Sequence, residues 1–324
     1  MSTNDRQRTL YRSEYEHDAC GVGMVANLSG EADHAIVAHG LTILKRLMHR
    51  GATGNDPETG DGAGLLLRIP HAFFRKAVPA LRGADAFGVA MIFGGEGEEA
   101  AIEAAARGEG CEVLAWRDVP TDPSAIGTDA RKVMPRIRQL FVAWGGETPH
   151  AKSAKSAKAF GEETSRTSRT SREESNSSFE RRLLVVRRQI ERAAPGAYVC
   201  SCSSRTVVYK GLLLATQIER FYPDLSDPDF ASPFAIVHQR YSTNTFPSWE
   251  LAHPFRALAH NGEINALKGN LGALAAREPS LASPLFGEDL KKLLPVVRPG
   301  QATRRPSTTS SSCWSRRGAT RRMR

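Results

Sequence analysis

The chain has 324 residues, 40% of them hydrophobic and 24% charged, which is ordinary for a globular protein with one large domain or two smaller ones. No apolar run approaches the roughly 18 residues of a membrane helix, and Met1 to Asp18 is polar and mixed in charge, unlike a secretory signal. A cytoplasmic location is therefore the default expectation, with no membrane partner. The formal charge of +9 suggests nucleic acid only until it is located: arginines 304, 305, 316, 317, 321, 322 and 324 supply seven of those charges, and the rest of the chain carries +2.

In chain order, residues 20–28 read as a short, glycine-punctuated buried strand. Asp33 is placed to cap a helix whose apolar positions Ile36, Val37, Leu41, Leu44, Leu47 and Met48 recur at helical spacing until Gly51. A Gly-, Asp- and Thr-rich loop over 51–64 leads to a strand through Leu65, Leu66 and Leu67. Further strands are expected at 86–93, 111–119, 197–202, 206–210, 234–240 and 256–260, and helices at 98–107, 180–193 and 264–276. Strands and helices mix without a βαβ rhythm, so the fold class is α+β.

Two segments stand apart. Residues 152–178 repeat small Lys-Ser and Ser-Arg units with Phe160 as their one large apolar residue, and are expected to be a disordered surface insertion. A basic RNA-binding arm is the sharper reading, but Glu162, Glu163, Glu173 and Glu174 dilute its charge. After Pro299 the chain loses all periodicity, and 300–324 reads as an aberrant, disordered basic tail.

The cysteines are Cys20, Cys111, Cys200, Cys202 and Cys313, an odd and scattered set that makes neither a disulfide framework nor a zinc site. Cys200 and Cys202 suit alternate positions of a strand. Cys20 differs because a polar leader precedes it and a strand begins at it. Removal of that leader would place an α-amine (pKa about 7.7–8.0) beside a thiol (about 8.5), a nucleophile with its own base. Acyl transfer also needs donors for an oxyanion, and His260-Asn261-Gly262-Glu263 offers a side-chain amide and a backbone N–H in one turn. By itself Asn-Gly is an ordinary turn. Arg240, at the end of a strand, has the fork geometry to grip a carboxylate, although a surface arginine is the commoner case.

The stretch CGVGMVANLSGEADHAIVAHGLTILKRLMHRGATGNDPETGDGAGLLLRIPHAFF resembles the opening of the glutamate synthase large subunit, and HQRYSTNTFPSWELAHPFRALAHNGEIN is similar to that family's second hallmark. The likeness spans roughly 15–299 outside the insertion. It implies a class II glutamine amidotransferase, an N-terminal nucleophile hydrolase of four-layer αββα fold, incomplete at the C-terminus. It implies Met1–Ala19 as propeptide and Cys20 as nucleophile. Arg240, assisted by Thr243, would hold the α-carboxylate of the substrate glutamine, with Asn261 and Gly262 as the oxyanion hole. His253 takes no catalytic role.

The implied reaction is hydrolysis of glutamine to glutamate and ammonia through a thioester. FMN, an iron–sulfur cluster, a synthase domain and a small reducing subunit are implied for a full-length parent, and no cofactor for this chain. Where the family carries a Ser-Asp-Ser element binding the substrate ammonium, this sequence has Gln301-Ala302-Thr303-Arg304, so weak or absent activity is expected. Two other readings stand beside this one: a catalytically dead remnant that binds nucleic acid through its tail, and an amidotransferase feeding amino-sugar or purine synthesis. The Arg-Tyr-Ser-Thr-Asn run at 240–244 and the stretch 33–64 disfavour the latter.

Overall fold

The computed structural model describes residues 21–145, 166–241, 246–257, 259–260 and 267–296. Eight strands form two four-stranded antiparallel sheets. The first holds β1 (Val22–Ala26), β8 (Phe234–Gln239), β2 (Ala63–Arg68) and β7 (Thr206–Gly211), in that order. The second holds β4 (Cys111–Asp118), β5 (Ile137–Trp144), β3 (Gly88–Gly94) and β6 (Ala197–Ser203).

Helix α1 (His34–Arg46) starts as its sequence dictates, with the Asp33 carboxylate accepting from the Ala35 N–H at 2.8 Å. It ends in a single 3₁₀ turn at Met48–Arg50 ahead of Gly51. The helix lies close on β1 and β8 because two contacts are glycines. A Cβ at Gly23 would sit 2.4 Å from Ile43, and one at Gly40 2.8 Å from Ala235. Ile36, Val37, Leu41 and Leu44 enter a core shared with Leu65 and Leu67 of the first sheet and Val89, Met91 and Phe93 of the second.

The other face of β3 and β5, with Ala90, Ile92, Leu140 and Val142, packs on α3 (Glu99–Gly108) and α5 (Arg166–Ala193) through Ile102, Leu183, Val186 and Ile190. The layers run helix, sheet, sheet, helix, the expected αββα arrangement. The short helices α2 (His71–Ala77), α4 (Thr128–Lys132), α6 (Ile218–Phe221) and α8 (Leu290–Leu293) and the longer α7 (Leu267–Arg277) complete the regular elements described.

Three expectations change. Helix α5 begins at Arg166, so 166–178 are helical backbone where a disordered insertion was expected, while 152–165 lie outside the described residues. Once its apolar C-terminal half is anchored, each added residue contributes one bond, and arginine is a good helix former. The strand expected at 256–260 is absent among the described residues of that stretch, which are turn and irregular backbone. Arg256 instead donates to Glu191 at 3.2 Å, and the His260 carbonyl bonds the His238 ring.

Strand β5 was not foreseen. Its Arg138 and Gln139 are buried and break the apolar pattern. Arg138 donates to Glu99 and to the Gly95 carbonyl beneath the Trp116 ring. Gln139 donates to the Tyr209 hydroxyl at 3.0 Å and accepts from Arg117 at 2.8 Å. Arg117 also forks onto Asp224 at 2.8 and 2.6 Å, and Tyr209 donates to Asp224 at 2.8 Å. Gln139, Arg117, Tyr209 and Asp224 thus satisfy one another where β4, β5 and β7 meet, while Arg138 faces α3 on the opposite side of β5.

Candidate active site

The end of β8 organises the site. His238 pairs with Val22 on one side and Gly64 on the other, and Gln239 with Ala63. Beyond the regular ladder, the Gln239 N–H donates to the Gly21 carbonyl at 2.7 Å and the Arg240 N–H to the Gly62 carbonyl at 2.8 Å. The start of β1, the start of β2 and Arg240 are therefore bonded together at one sheet edge.

Arg240 is partly buried, and desolvation pulls its guanidinium pKa down while the neighbouring Asp61 carboxylate opposes that shift. Asp61 is itself only 6% exposed, and its backbone N–H is fixed to the Ala52 carbonyl at 3.0 Å. A guanidinium kept charged at the end of a strand, with an acid beside it, is suited to a small carboxylate ligand.

A loop over residues 248–255 lies across the start of β2 and the end of β7, and glycines admit it. Gly62, at φ +139°, would place a Cβ 2.9 Å from that of Ala252. At Gly64 a Cβ would meet the His253 carbonyl oxygen at 2.5 Å, and at Gly211 the Trp249 ring at 2.3 Å.

Lys210 of β7 fastens the same loop. Fully buried, it donates to the carbonyls of Glu250 and Ala252 at 2.8 and 2.7 Å and to the Tyr198 hydroxyl at 3.2 Å. Burial brings its pKa down to about 8. His253 then stacks on His238 with centroids 4.5 Å apart and meets His260 edge-on at 5.3 Å. Burial, with the neighbouring His238, His260, Lys210 and Arg240, holds the His253 pKa down to about 3, so that ring is neutral.

Of the residues singled out in the sequence, Arg240 is described and stands at the sheet edge next to the segment that follows Cys20. Cys20, Thr243, Asn261 and Gly262 lie outside the described residues. The described thiols are poor nucleophiles. Burial pushes Cys111 up to about 11 and Cys200 to about 12, and raises Cys202 as well. They sit separately in β4 and β6, and among the described residues no group of three or more His, Cys, Asp or Glu could hold a metal ion. Neither set fits an iron–sulfur cluster.

Asp61, Lys210 and His238 were missed in the sequence. Asp61 sat in a stretch read only as loop. Lys210 gave no signal, since a lysine at a strand end reads as exposed. Alternation along β8 could have marked His238 as sharing a sheet face with Arg240.

Comparison with known proteins decides the family. The model of the glutamine amidotransferases class-II matches residues 20–304. The chain belongs to the class-II glutamine amidotransferases. It is 46% identical over 300 residues to the glutamate synthase [NADPH] large chain of Bacillus subtilis, covering 89% of this chain and 18% of that one. To the corresponding large chain of Azospirillum brasilense it is 39% identical over 305 residues, covering 90% and 18%. To the chloroplastic ferredoxin-dependent glutamate synthase of Spinacia oleracea it is 37% identical over 302 residues, covering 88% and 17%. The chain thus spans less than a fifth of the length of these relatives. No helix among its described residues is long and apolar enough to cross a membrane.

Proposed function

We propose that this chain carries the glutamine-hydrolysing site of a glutamate synthase, with Cys20 as nucleophile once Met1–Ala19 is removed. The observation that carries the reading is the junction of Gly21, Gln239 and Arg240. Cys20 is one peptide bond from Gly21, whose carbonyl accepts the Gln239 N–H, and Arg240 is the next residue along. Consecutive Cα atoms are about 3.8 Å apart, so the chain that continues to Cys20 is joined at Gly21 to the strand end that carries Arg240.

In this reading Arg240, with Thr243, grips the substrate α-carboxylate. The free α-amine of Cys20 takes the thiol proton, and the thiolate attacks the side-chain amide carbon. The resulting oxyanion is held by the Asn261 side chain and the Gly262 N–H. Collapse of the tetrahedral adduct breaks the C–N bond, and the α-ammonium returns its proton to the leaving ammonia. Water, deprotonated by the same amine, then cleaves the thioester and releases glutamate. While Cys20 remains amide-linked to Ala19 there is no such base, so leader removal switches the site on.

The later steps belong to other segments of a longer protein. Ammonia would pass to a synthase domain and be built onto 2-oxoglutarate, with FMN, an iron–sulfur cluster and a reducing subunit outside this chain. Gln301–Arg304, where the ammonium-binding aspartate is expected, lie outside the described residues, and we expect turnover to be slow.

Labelling tests the reading without requiring fast turnover. The protein is treated with an electrophilic glutamine analogue, and the adduct and the mature N-terminus are mapped by mass spectrometry. The expected result is one adduct on an N-terminal Cys20, blocked by excess glutamine and lost in Arg240→Ala. An adduct elsewhere, or labelling indifferent to glutamine, would remove Cys20 from the role.

A further inference from the structure

Lys210, Gly64 and His238 lie in one row across β7, β2 and β8, since Gly64 pairs with Lys210 on one side and with His238 on the other. Paired residues of adjacent strands point to the same face, so the row presents a lysine, a gap and a histidine. The 248–255 loop fills the gap. Its His253 carbonyl oxygen lies 2.5 Å from where a Gly64 Cβ would be, and its His253 ring stacks on His238 at 4.5 Å. Across the gap, Lys210 gives its three ammonium hydrogens to the carbonyls of Glu250 and Ala252 and to the Tyr198 hydroxyl.

What the ammonium supplies here is direction rather than bulk. A methionine of similar length would fill the space without the cost of burying a charge. Only a donor can hold two carbonyls of one loop at once. One of the two, Ala252, bears on Gly62, where a Cβ would be 2.9 Å from the Ala252 Cβ and 3.1 Å from its Cα. Gly62 is the residue whose carbonyl takes the Arg240 N–H. An unbroken path of hydrogen bonds and close contacts therefore runs from Lys210 through Ala252 and Gly62 to the backbone of Arg240.

We propose that Lys210 is a positioning residue for substrate binding: by tying the Glu250 and Ala252 carbonyls it holds the 248–255 loop on Gly62, and so fixes the backbone from which the Arg240 guanidinium leaves. The proposal rests on the reading of Arg240 as the grip on the α-carboxylate of glutamine. That carboxylate is not a reacting group and is held alike in the ground and transition states. Loosening the grip therefore raises KM and leaves kcat.

The experiment compares the full chain, freed of Met1–Ala19, with Lys210→Met and Arg240→Ala. In Lys210→Met, hydrogen exchange at the Ala252 and Arg240 amides should rise at least about tenfold, the loss of one hydrogen bond. Exchange over β5, in the other sheet, should not change. Calorimetry reads the Kd for L-glutamate, which keeps the α-carboxylate and needs no turnover; it should rise about 5- to 30-fold. KM for glutamine should rise by the same factor, with kcat within about threefold.

Unchanged exchange at Arg240 in a folded Lys210→Met overturns the proposal. So does a loss of kcat at constant KM, which would mark a general loosening rather than a weaker grip. A Lys210→Met protein that fails to fold is replaced by Lys210→Leu, to which the same criteria apply. Arg240→Ala separates the two ideas. If it binds L-glutamate like the parent, the grip reading itself is wrong; if it binds weakly while Lys210→Met binds like the parent, only the positioning role is lost.

Discussion

Arg240 donates its backbone N–H to the carbonyl of Gly62 at 2.8 Å, which ties the residue after β8 to the chain entering β2. The guanidinium thus leaves from a fixed backbone rather than from a loop. Asp61, one residue before Gly62, is the carboxylate that opposes the desolvation of Arg240. Replacing Arg240 with lysine keeps the charge but loses the two-pronged geometry, and KM for glutamine should rise roughly 10- to 100-fold, the worth of one charge-assisted hydrogen bond. Asp61→Asn should raise KM by a smaller factor and leave the Cys20 labelling site unchanged. Steady-state glutaminase assays on the two variants check both, and a KM for Arg240→Lys equal to the parent's would exclude the carboxylate-grip role.

The glycines under the 248–255 loop should tolerate no side chain. At Gly64 a new Cβ would meet the backbone oxygens of His253 and Tyr209 at 2.5 and 2.8 Å and the Lys210 Cβ at 2.6 Å, none of which can yield as a side-chain tip can. Gly64→Ala should cost about 1–3 kcal/mol, as overpacking does. Gly30→Ala is a control with nothing within 4 Å, although its φ of +76° adds a cost of about 1 kcal/mol. Chemical denaturation of both variants measures the difference, and equal losses would show that the loop moves aside.

Several elements were legible in the sequence for reasons that these contacts explain. Helix α1 carried both its cap and its apolar stripe, and β2, β3, β7 and β8 each hold a short apolar stretch (Leu65–Leu67, Val89–Phe93, Val207–Tyr209 and Phe234–Val237) whose neighbours are strands. Strand β5 was not legible because Arg138 and Gln139 face partners on β4, β7 and α3 that only the fold assembles. The segment 256–260 misled in the opposite way: its apolar residues suggest a strand, yet the tethers come from Glu191 and His238. At the site, Arg240 could be read from its place at the end of an apolar run. Lys210 could not, since only the packed loop supplies the two carbonyls that replace its water.

That buried lysine makes stability depend on alkaline pH. Its folded pKa, near 8, lies below the ordinary value of 10.5, so between those limits the unfolded chain binds the extra proton. Stability from this group therefore rises as pH increases from about 8 towards 10.5. Relative to Lys210→Met, the parent should gain about 2–3 kcal/mol between pH 7 and pH 10. Urea denaturation of the pair at the two pH values tests this, and a constant difference would mean that the ammonium is not desolvated as described.

His253 should dominate one part of the acid response. Its ring, neutral in the fold with a pKa near 3, regains the ordinary 6.5 on unfolding, so the unfolded state binds the extra proton between those values. The stability is fully present above pH 6.5 and is lost as pH falls towards 3, by about 1.4 kcal/mol per unit. The groups facing the ring, His238, His260, Lys210 and Arg240, are basic, and each disfavours a second charge there. His253→Phe keeps the aromatic contacts with His238 and Phe255 while removing the titration. Between pH 7 and pH 4 the parent should lose about 3 kcal/mol more than His253→Phe in parallel denaturation series. Parallel curves for the two proteins would place the acid-sensitive group elsewhere.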